Sequence, residues 1–359
     1  MHLVKTFCFS AVGGFLLSLI HAPLPWLLGP LAVTAMTGYY QKKRVVWPVQ
    51  LRDVSQLLLG YAMGRAFNAE TAALIVQALP LMLLAAIMTV CAGLISAWLL
   101  LKRSDINLTS CLLGCVPGGL TQMVMLADEL PAADLTAVTI LQTVRMLSTV
   151  AVIPFLTIHV LADADAQAAA AAALPPPADW SSVFMYAALA VAGMYGAKLI
   201  RIPVASLIGP ILATGAYLIV TGETAPLASK FWLSVAQIGV GTYIGAGIDV
   251  AKIRSYNGYW SSIFEGIIIV LACSMLMALG LRHLTGMGLT TAFLGCAPGG
   301  LAEMGVTALA VGADSAMMTA YQMTRLLFIM LVYPSIVKQI ISWQAHTAPA
   351  AKDSGCHSR

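Results

Sequence analysis

Apolar residues run along this chain in uninterrupted stretches of about 17 to 28 positions, separated by short polar or basic clusters, from one end to the other. Runs of that length match the roughly 20 residues a helix needs to cross a bilayer core of about 30 Å. Lipid offers no partner to free backbone N–H and C=O groups, so only helices or a closed barrel can span it. Continuous runs, in place of alternating apolar and polar positions, predict helices. The expected fold class is therefore all-α, a polytopic integral membrane protein. Segments are expected near 3–20, 26–40, 52–67, 74–101, 108–127 and 132–160, and again near 181–200, 206–220, 231–248, 260–281, 289–311 and 315–342.

The two series are copies of one pattern. Pro23-x-x-x-Leu27-x-Gly29-Pro30-x-x-x-Thr34 returns as Pro203-x-x-x-Leu207-x-Gly209-Pro210-x-x-x-Thr214, and Gln56, Gly60 and Gly64 return as Gln237, Gly241 and Gly245. The strongest match sets LGCVPGGLTQM at 113–123 against LGCAPGGLAEM at 294–304, with eight of eleven positions identical. Asp134, Thr139, Gln142, Arg145 and Pro154 then return as Asp314, Thr319, Gln322, Arg325 and Pro334. Motifs that keep register over such distances mark a duplication. It divides the chain into a membrane repeat at 1–161, an Ala/Pro-rich acidic linker at 162–179, a second repeat at 180–342, and a polar tail at 343–359 expected to be disordered.

Each fifth segment carries Cys-x-Pro-Gly-Gly-Leu at its middle, where Pro removes a helical hydrogen bond and two glycines loosen the backbone. A broken helix or re-entrant hairpin is expected there. Five spans plus one re-entrant element per half would invert the repeats, whereas six spans would leave them parallel. Lys and Arg counts around the loops separate the two by a single charge. The broken segment and the linker without a basic residue favour inversion.

Composition sharpens the class: 60% of residues are hydrophobic and 9% charged, against roughly 25% charged in soluble domains. The net charge of +4 is spread in small clusters, so no nucleic-acid partner is expected. Seven cysteines, mostly inside apolar stretches, read as small packing residues. Met1 to Ile20 carries a Lys and an apolar core but no clear cleavage site, and is expected to remain as the first membrane helix. The six histidines are dispersed without metal-ligand spacing, and no phosphate loop is present. No cofactor, metal or enzymatic activity is expected.

Candidate chemistry concentrates in four places. Discontinuous helices in two-fold carriers meet near the midplane and use their free termini to hold ions. Cys115, Pro117, Gly118, Gly119 and Gln122 in one copy, with Pro298, Gly299 and Gly300 in the other, are candidates to line such a site. Gln142-x-x-Arg145 and Gln322-x-x-Arg325 place an amide and a guanidinium on one helical face, and charges at that depth face a cavity, an acidic partner or an anionic substrate. Internal pairing with Asp134, Asp314 or Glu303 is the alternative. Glu303 can change charge where its counterpart Gln122 cannot, which suits ion coupling, with Asp134 and Asp314 as further candidates. Gly29-Pro30 and Gly209-Pro210 read as scaffold.

The duplicated G-C-x-P-G-G-L-x-x-M, the Gly-Pro motif and the Gln-x-x-Arg pair resemble the bacterial AbrB family of membrane proteins over nearly the whole chain. The family is distinct from the small soluble DNA-binding regulators that share its name. Its members carry labels as regulators of gene expression and as ammonia monooxygenases, and its organisation is similar to carriers with two inverted halves. The resemblance implies a secondary transporter of the bacterial inner membrane for a small polar or anionic solute, or a membrane sensor that affects gene expression indirectly. A monooxygenase would need a copper or iron site that these dispersed histidines do not supply. The partners expected are the bilayer and a small-molecule solute, with a homo-oligomer left open.

Overall fold

A computed structural model describes residues 2–41, 45–130, 132–161, 180–255 and 259–347; the linker 162–179 and Lys42, Lys43 and Arg44 lie outside the described residues. The first half forms α1 (His2–Leu19), α2 (Pro25–Gln41), α3 (Val49–Gly64), α4 (Ala69–Arg103), α5 (Leu108–Cys115), α6 (Leu120–Glu129) and α7 (Leu135–Leu156), which a π turn prolongs through Thr157–Leu161. The second forms α8 (Trp180–Leu199), α9 (Ala205–Thr221), α10 (Lys230–Ala246), α11 (Val250–Ser255), α12 (Trp260–Thr285), α13 (Leu289–Cys296), α14 (Leu301–Val311) and α15 (Ser315–Thr347). There is no strand among the described residues.

Five of these helices, α4, α7 with its π turn, α8, α12 and α15, are long and apolar enough to cross a membrane. Large apolar side chains such as Phe9, Phe15, Leu199, Val220 and Leu331 are turned outward, while buried positions include Ser10, Ser96, Thr89, Thr242 and Ser274. Apolar side chains thus cover the outside as well as the core, which suits lipid as solvent. The protein is an all-α polytopic membrane protein.

Local chemistry sets the helix ends. Asn68 and Thr71 form a reciprocal capping box that starts α4, and Lys102 and Arg103 occupy its last turn, where the helix dipole favours cations. Gly286 and Gly312 close α12 and α14 with left-handed backbones. Two departures from the expected segments stand out. The short helix α11 was not foreseen, because Asp249 to Ser255 is too polar for an apolar run. The last helix continues past 342 to Thr347, into the stretch expected to be disordered, and residues 348–359 lie outside the described residues.

The helices group by contact, not by repeat. One group packs α1 on α2, α8 on α9, and α2 and α3 against α9 and α10. The other gathers α4 to α7 with α12 to α15. In the first group the duplicated Gly-x-x-x-Gly motifs meet backbone: a Cβ on Gly60 or Gly64 of α3 would collide with the carbonyls of Leu207 or Ile211 on α9, and one on Gly241 or Gly245 of α10 with those of Leu27 or Leu31 on α2. Small residues permit such approaches where lipid supplies no hydrophobic drive. The tight turns before α2 and α9 match as well, with positive φ at His21 and Leu24 and again at Arg201 and Val204.

Corresponding helices of the two halves cross in opposite directions. Arg52 of α3 donates to Tyr243 of α10 at 3.1 Å, while Ser55 faces Gly239, so numbers rise on one helix as they fall on the other. On α4 and α12, Met88 meets Cys273, Ser96 meets Gly266 and Arg103 pairs with Glu265, again in antiparallel order.

Each fifth segment is a helical hairpin broken at Pro-Gly-Gly. Its arms, α5 with α6 and α13 with α14, have eight to eleven residues, about 12–17 Å at 1.5 Å per residue. The chain also returns to where it entered: Asn107 Nδ2 donates to Ala132 O at 2.6 Å, and the Asp134 amide donates to Ser110 Oγ at 2.7 Å. In the second half the Asp314 amide donates to Thr291 Oγ1 at 3.1 Å. The two ends of each segment therefore lie side by side, with the Pro-Gly-Gly tip at the far end of the arms.

Candidate functional site

The hairpin tips are built around a backbone defect. In an unbroken helix the carbonyl of Leu113 would accept from residue 117, and that of Leu294 from residue 298, but Pro117 and Pro298 have no N–H. The glutamines of α7 and α15 supply the missing donor. Gln142 Nε2 donates to Leu113 O at 2.6 Å and Val116 O at 2.9 Å; Gln322 Nε2 donates to Leu294 O at 2.5 Å and Ala297 O at 3.0 Å. Both side chains are buried. Because lipid-depth carbonyls without partners are costly, the Pro-Gly-Gly break and the glutamine form one unit in each half.

One turn further along, the arginines take up the free side of each amide. Arg145 Nη2 donates to Gln142 Oε1 at 2.5 Å, and Arg325 Nη2 donates to Gln322 Oε1. Beyond this the halves differ. Arg325 stays with its own hairpin, donating to Ala297 O, to Gly299 O at 3.0 Å and more weakly to Cys296 O at 3.5 Å. Arg145 crosses to the other hairpin and donates to Pro298 O at 3.1 Å, so a side chain of the first half rests on the tip of the second. Its Nε is buried without a partner. The Tyr333 hydroxyl of α15 reaches the other way, to Leu112 O of α5 at 2.8 Å.

The internal ion pair weighed for these arginines is not what the structure builds. No ion pair among the described residues involves Arg145, Arg325 or Glu303. The acceptors around both guanidinium groups are backbone carbonyls and the paired glutamines. Asp134 and Asp314, expected among the ion-coupling residues, are helix N-caps. Asp134 Oδ1 accepts from the amides of Thr136 and Ala137 at 2.8 and 3.2 Å, and Asp314 Oδ1 accepts from Ala316 and Met317 at 3.0 Å each. The open amides of a helix start hold both carboxylates, whereas Glu303 is a buried carboxyl beside a hairpin tip.

The second arms start at the tips. Gly119 precedes α6 with φ 86°, while its counterpart Gly300 precedes α14 with φ −74°. Gln122 folds its amide oxygen over Gly119, and Glu303 folds a carboxylate oxygen over Gly300. Met123 and Met304 cover Gly118 and Gly299 in the same way. Glu303 is buried in the first turn of α14, where the amide end of a helix favours negative charge. The two tips thus share a plan and differ at one titratable position.

Every expected residue of the Pro-Gly-Gly and Gln-x-x-Arg motifs falls at or beside the tips. Cys115 ends α5 and is buried; its counterpart Cys296 is also buried and accepts at its carbonyl from Ser274 at 3.2 Å. The carbonyls of Leu113, Val116, Leu294, Ala297 and Gly299 escaped notice because backbone acceptors have no side-chain signature. Among the described residues no three His, Cys, Asp or Glu side chains converge as metal ligands would.

Known proteins place this architecture. A relative from Bacillus subtilis named "Uncharacterized protein YhjN" is 27% identical over 351 residues, covering 90% of this chain and 89% of its own. One from Escherichia coli K12 named "Putative regulator AbrB" is 28% identical over 328 residues, covering 90% and 92%. The family model described as transition state regulatory protein AbrB matches residues 26–341, a stretch that contains both hairpins and both Gln-x-x-Arg pairs. With the match reaching from the start of α2 nearly to the end of α15, the chain belongs to the AbrB family.

Proposed function

We propose that the protein is a secondary transporter of the bacterial inner membrane, moving a small polar or anionic solute by alternating access between two inverted halves. The observation that carries this reading is the pair of guanidinium groups, buried at the hairpin tips without a carboxylate partner among the described residues. Buried charge is costly when nothing opposes it, and guanidinium forks suit anionic oxygens. An anionic solute drawn to the tips would offset that cost. Re-entrant hairpins that end at mid-depth are the form in which irregular backbone survives in a membrane, lining a cavity. The antiparallel crossings of α3 with α10 and α4 with α12 support inversion. In this reading Arg145 and Arg325 balance the solute, the two Pro-Gly-Gly tips line its path, and Glu303 carries the coupling proton or cation. No catalytic step is needed.

The test is uptake by the purified protein in proteoliposomes, with radiolabelled small carboxylates, amino acids and inorganic anions offered with and without a pH gradient. Saturable uptake that collapses in Arg145→Ala is expected. Absence of flux for every solute, in folded protein, would overturn the transport reading. A second reading then takes its place, a membrane sensor that influences gene expression indirectly, favoured by the name regulator given to the Escherichia coli relative.

A further inference from the structure

A small cavity opens beside the first hairpin tip, where α4, α5, α7 and α12 meet. Cys115 and Arg145 border it together with Ser96 and Ser262, and the rest of its wall is apolar, including Leu141 and Ile267. It holds about 20 Å³, enough for one water-sized particle. Arg145 is nine-tenths buried, its Nε lacks a partner, and its charge has no ion pair among the described residues.

The lining sorts possible occupants by charge and size. A guanidinium N–H can only donate, and hydroxyl and thiol groups can donate, so the polar wall favours an acceptor. A cation is repelled by Arg145. A water molecule would accept a hydrogen bond and leave the buried positive charge unopposed, a penalty that an anion removes. Phosphate and sulfate carry too much charge and volume for a space of this size. A spherical ion accepts from any direction and suits donors set on three different helices.

We propose that this cavity is a binding site for a monovalent anion of halide size, held by Arg145 with Ser96 and Ser262. The assignment rests on the transport reading for its purpose and narrows it: the first half binds the anion, while Arg325, occupied by the carbonyls of its own hairpin, is a positioning residue. The repeats are then unequal, with an anion site in one and a braced tip carrying Glu303 in the other.

Bromide is the probe. The full chain, purified in detergent in a gluconate buffer, is titrated with sodium bromide at constant ionic strength, and its thermal unfolding is followed. Ligand that binds only folded protein raises the melting temperature in a saturable way. The expected result is a saturable rise, with apparent affinity weakened about tenfold or more in Arg145→Gln, the loss of a charged donor. Ser262→Ala, which keeps the buried charge and the fold, is expected to weaken it by a smaller factor and serves if Arg145→Gln fails to fold. No bromide-specific shift, a shift untouched by Ser262→Ala, or a response to formate and acetate in place of bromide would each overturn the assignment. Uptake in proteoliposomes separates the two claims: flux of an organic anion with no bromide binding retains transport and removes this site, whereas bromide binding without flux of any anion does the reverse.

Discussion

A missing amide hydrogen at Pro117 and Pro298 explains more of this molecule than any charged group. It strands the carbonyls of Leu113 and Leu294, and the amides of Gln142 and Gln322 answer them. Replacing Gln322 with Ala is therefore expected to cost about 1–3 kcal/mol, since the carbonyl of Leu294 is left unpaired while that of Ala297 keeps Arg325, and to lower the melting temperature by several degrees. Equivalent glycines at the tips should not behave alike. Gly119→Ala places a side chain at φ 86° and ψ 129°, a backbone region that residues other than glycine rarely occupy, at a cost of about 1–3 kcal/mol. Gly300→Ala, at φ −74°, meets only the end of the flexible Glu303 side chain, and thermal unfolding of the pair should show the smaller loss there. Glu303→Gln gives both tips an amide at this position. It is expected to preserve folding and solute binding while removing the response of uptake to a pH gradient; unchanged coupling would take Glu303 out of that role.

At the scale of elements, the hairpins and the Gly-x-x-x-Gly helices depend on close approach of backbone to backbone. Gly60 and Gly241 hold the same place in their halves, each against a carbonyl of the facing helix. Valine at either position is expected to destabilise by about 3 kcal/mol or more, the upper end of overpacking costs, and by similar amounts in the two halves. A large difference between them, measured by thermal unfolding, would show that the halves do not share this contact. The aspartates make a contrasting case. Asp134→Ala and Asp314→Ala each remove an N-cap worth about 1 kcal/mol, and uptake in both is expected to keep its pH response; a lost response would assign them to coupling as well as to capping.

For the whole molecule the question is which way each hairpin enters. Antiparallel crossings of corresponding helices imply that the loops after the second arms, at Ala132 and Ala313, face opposite sides of the membrane. Single cysteines placed there, in protein otherwise free of cysteine, are expected to react with a membrane-impermeant maleimide from opposite faces. Reaction from the same face would overturn inversion, and with it the alternating-access reading. The grouping of α1 to α3 with α8 to α10 meets the hairpin-bearing helices through one shared core, in which Leu59 and Met63 join Met82, Phe293 and Met304.

The class of protein was legible in the chain alone, because apolar runs matched to the bilayer leave helices as the available solution, and repeated motifs announce themselves without coordinates. The breaks at Pro117 and Pro298 were legible too, since proline acts on its own helix. What each break requires was not: the acceptors at the tips are backbone atoms, and their donors lie 25 to 29 residues away. The same holds for the aspartates, which sequence offers as possible partners of the buried arginines and which the fold sets against helix amides. Sequence spacing reports neighbours one turn apart. Only the tertiary structure could decide that Arg145 reaches the opposite hairpin while Arg325 remains with its own, because contacts between halves depend on how the two copies cross, and two nearly identical motifs carry no record of that difference.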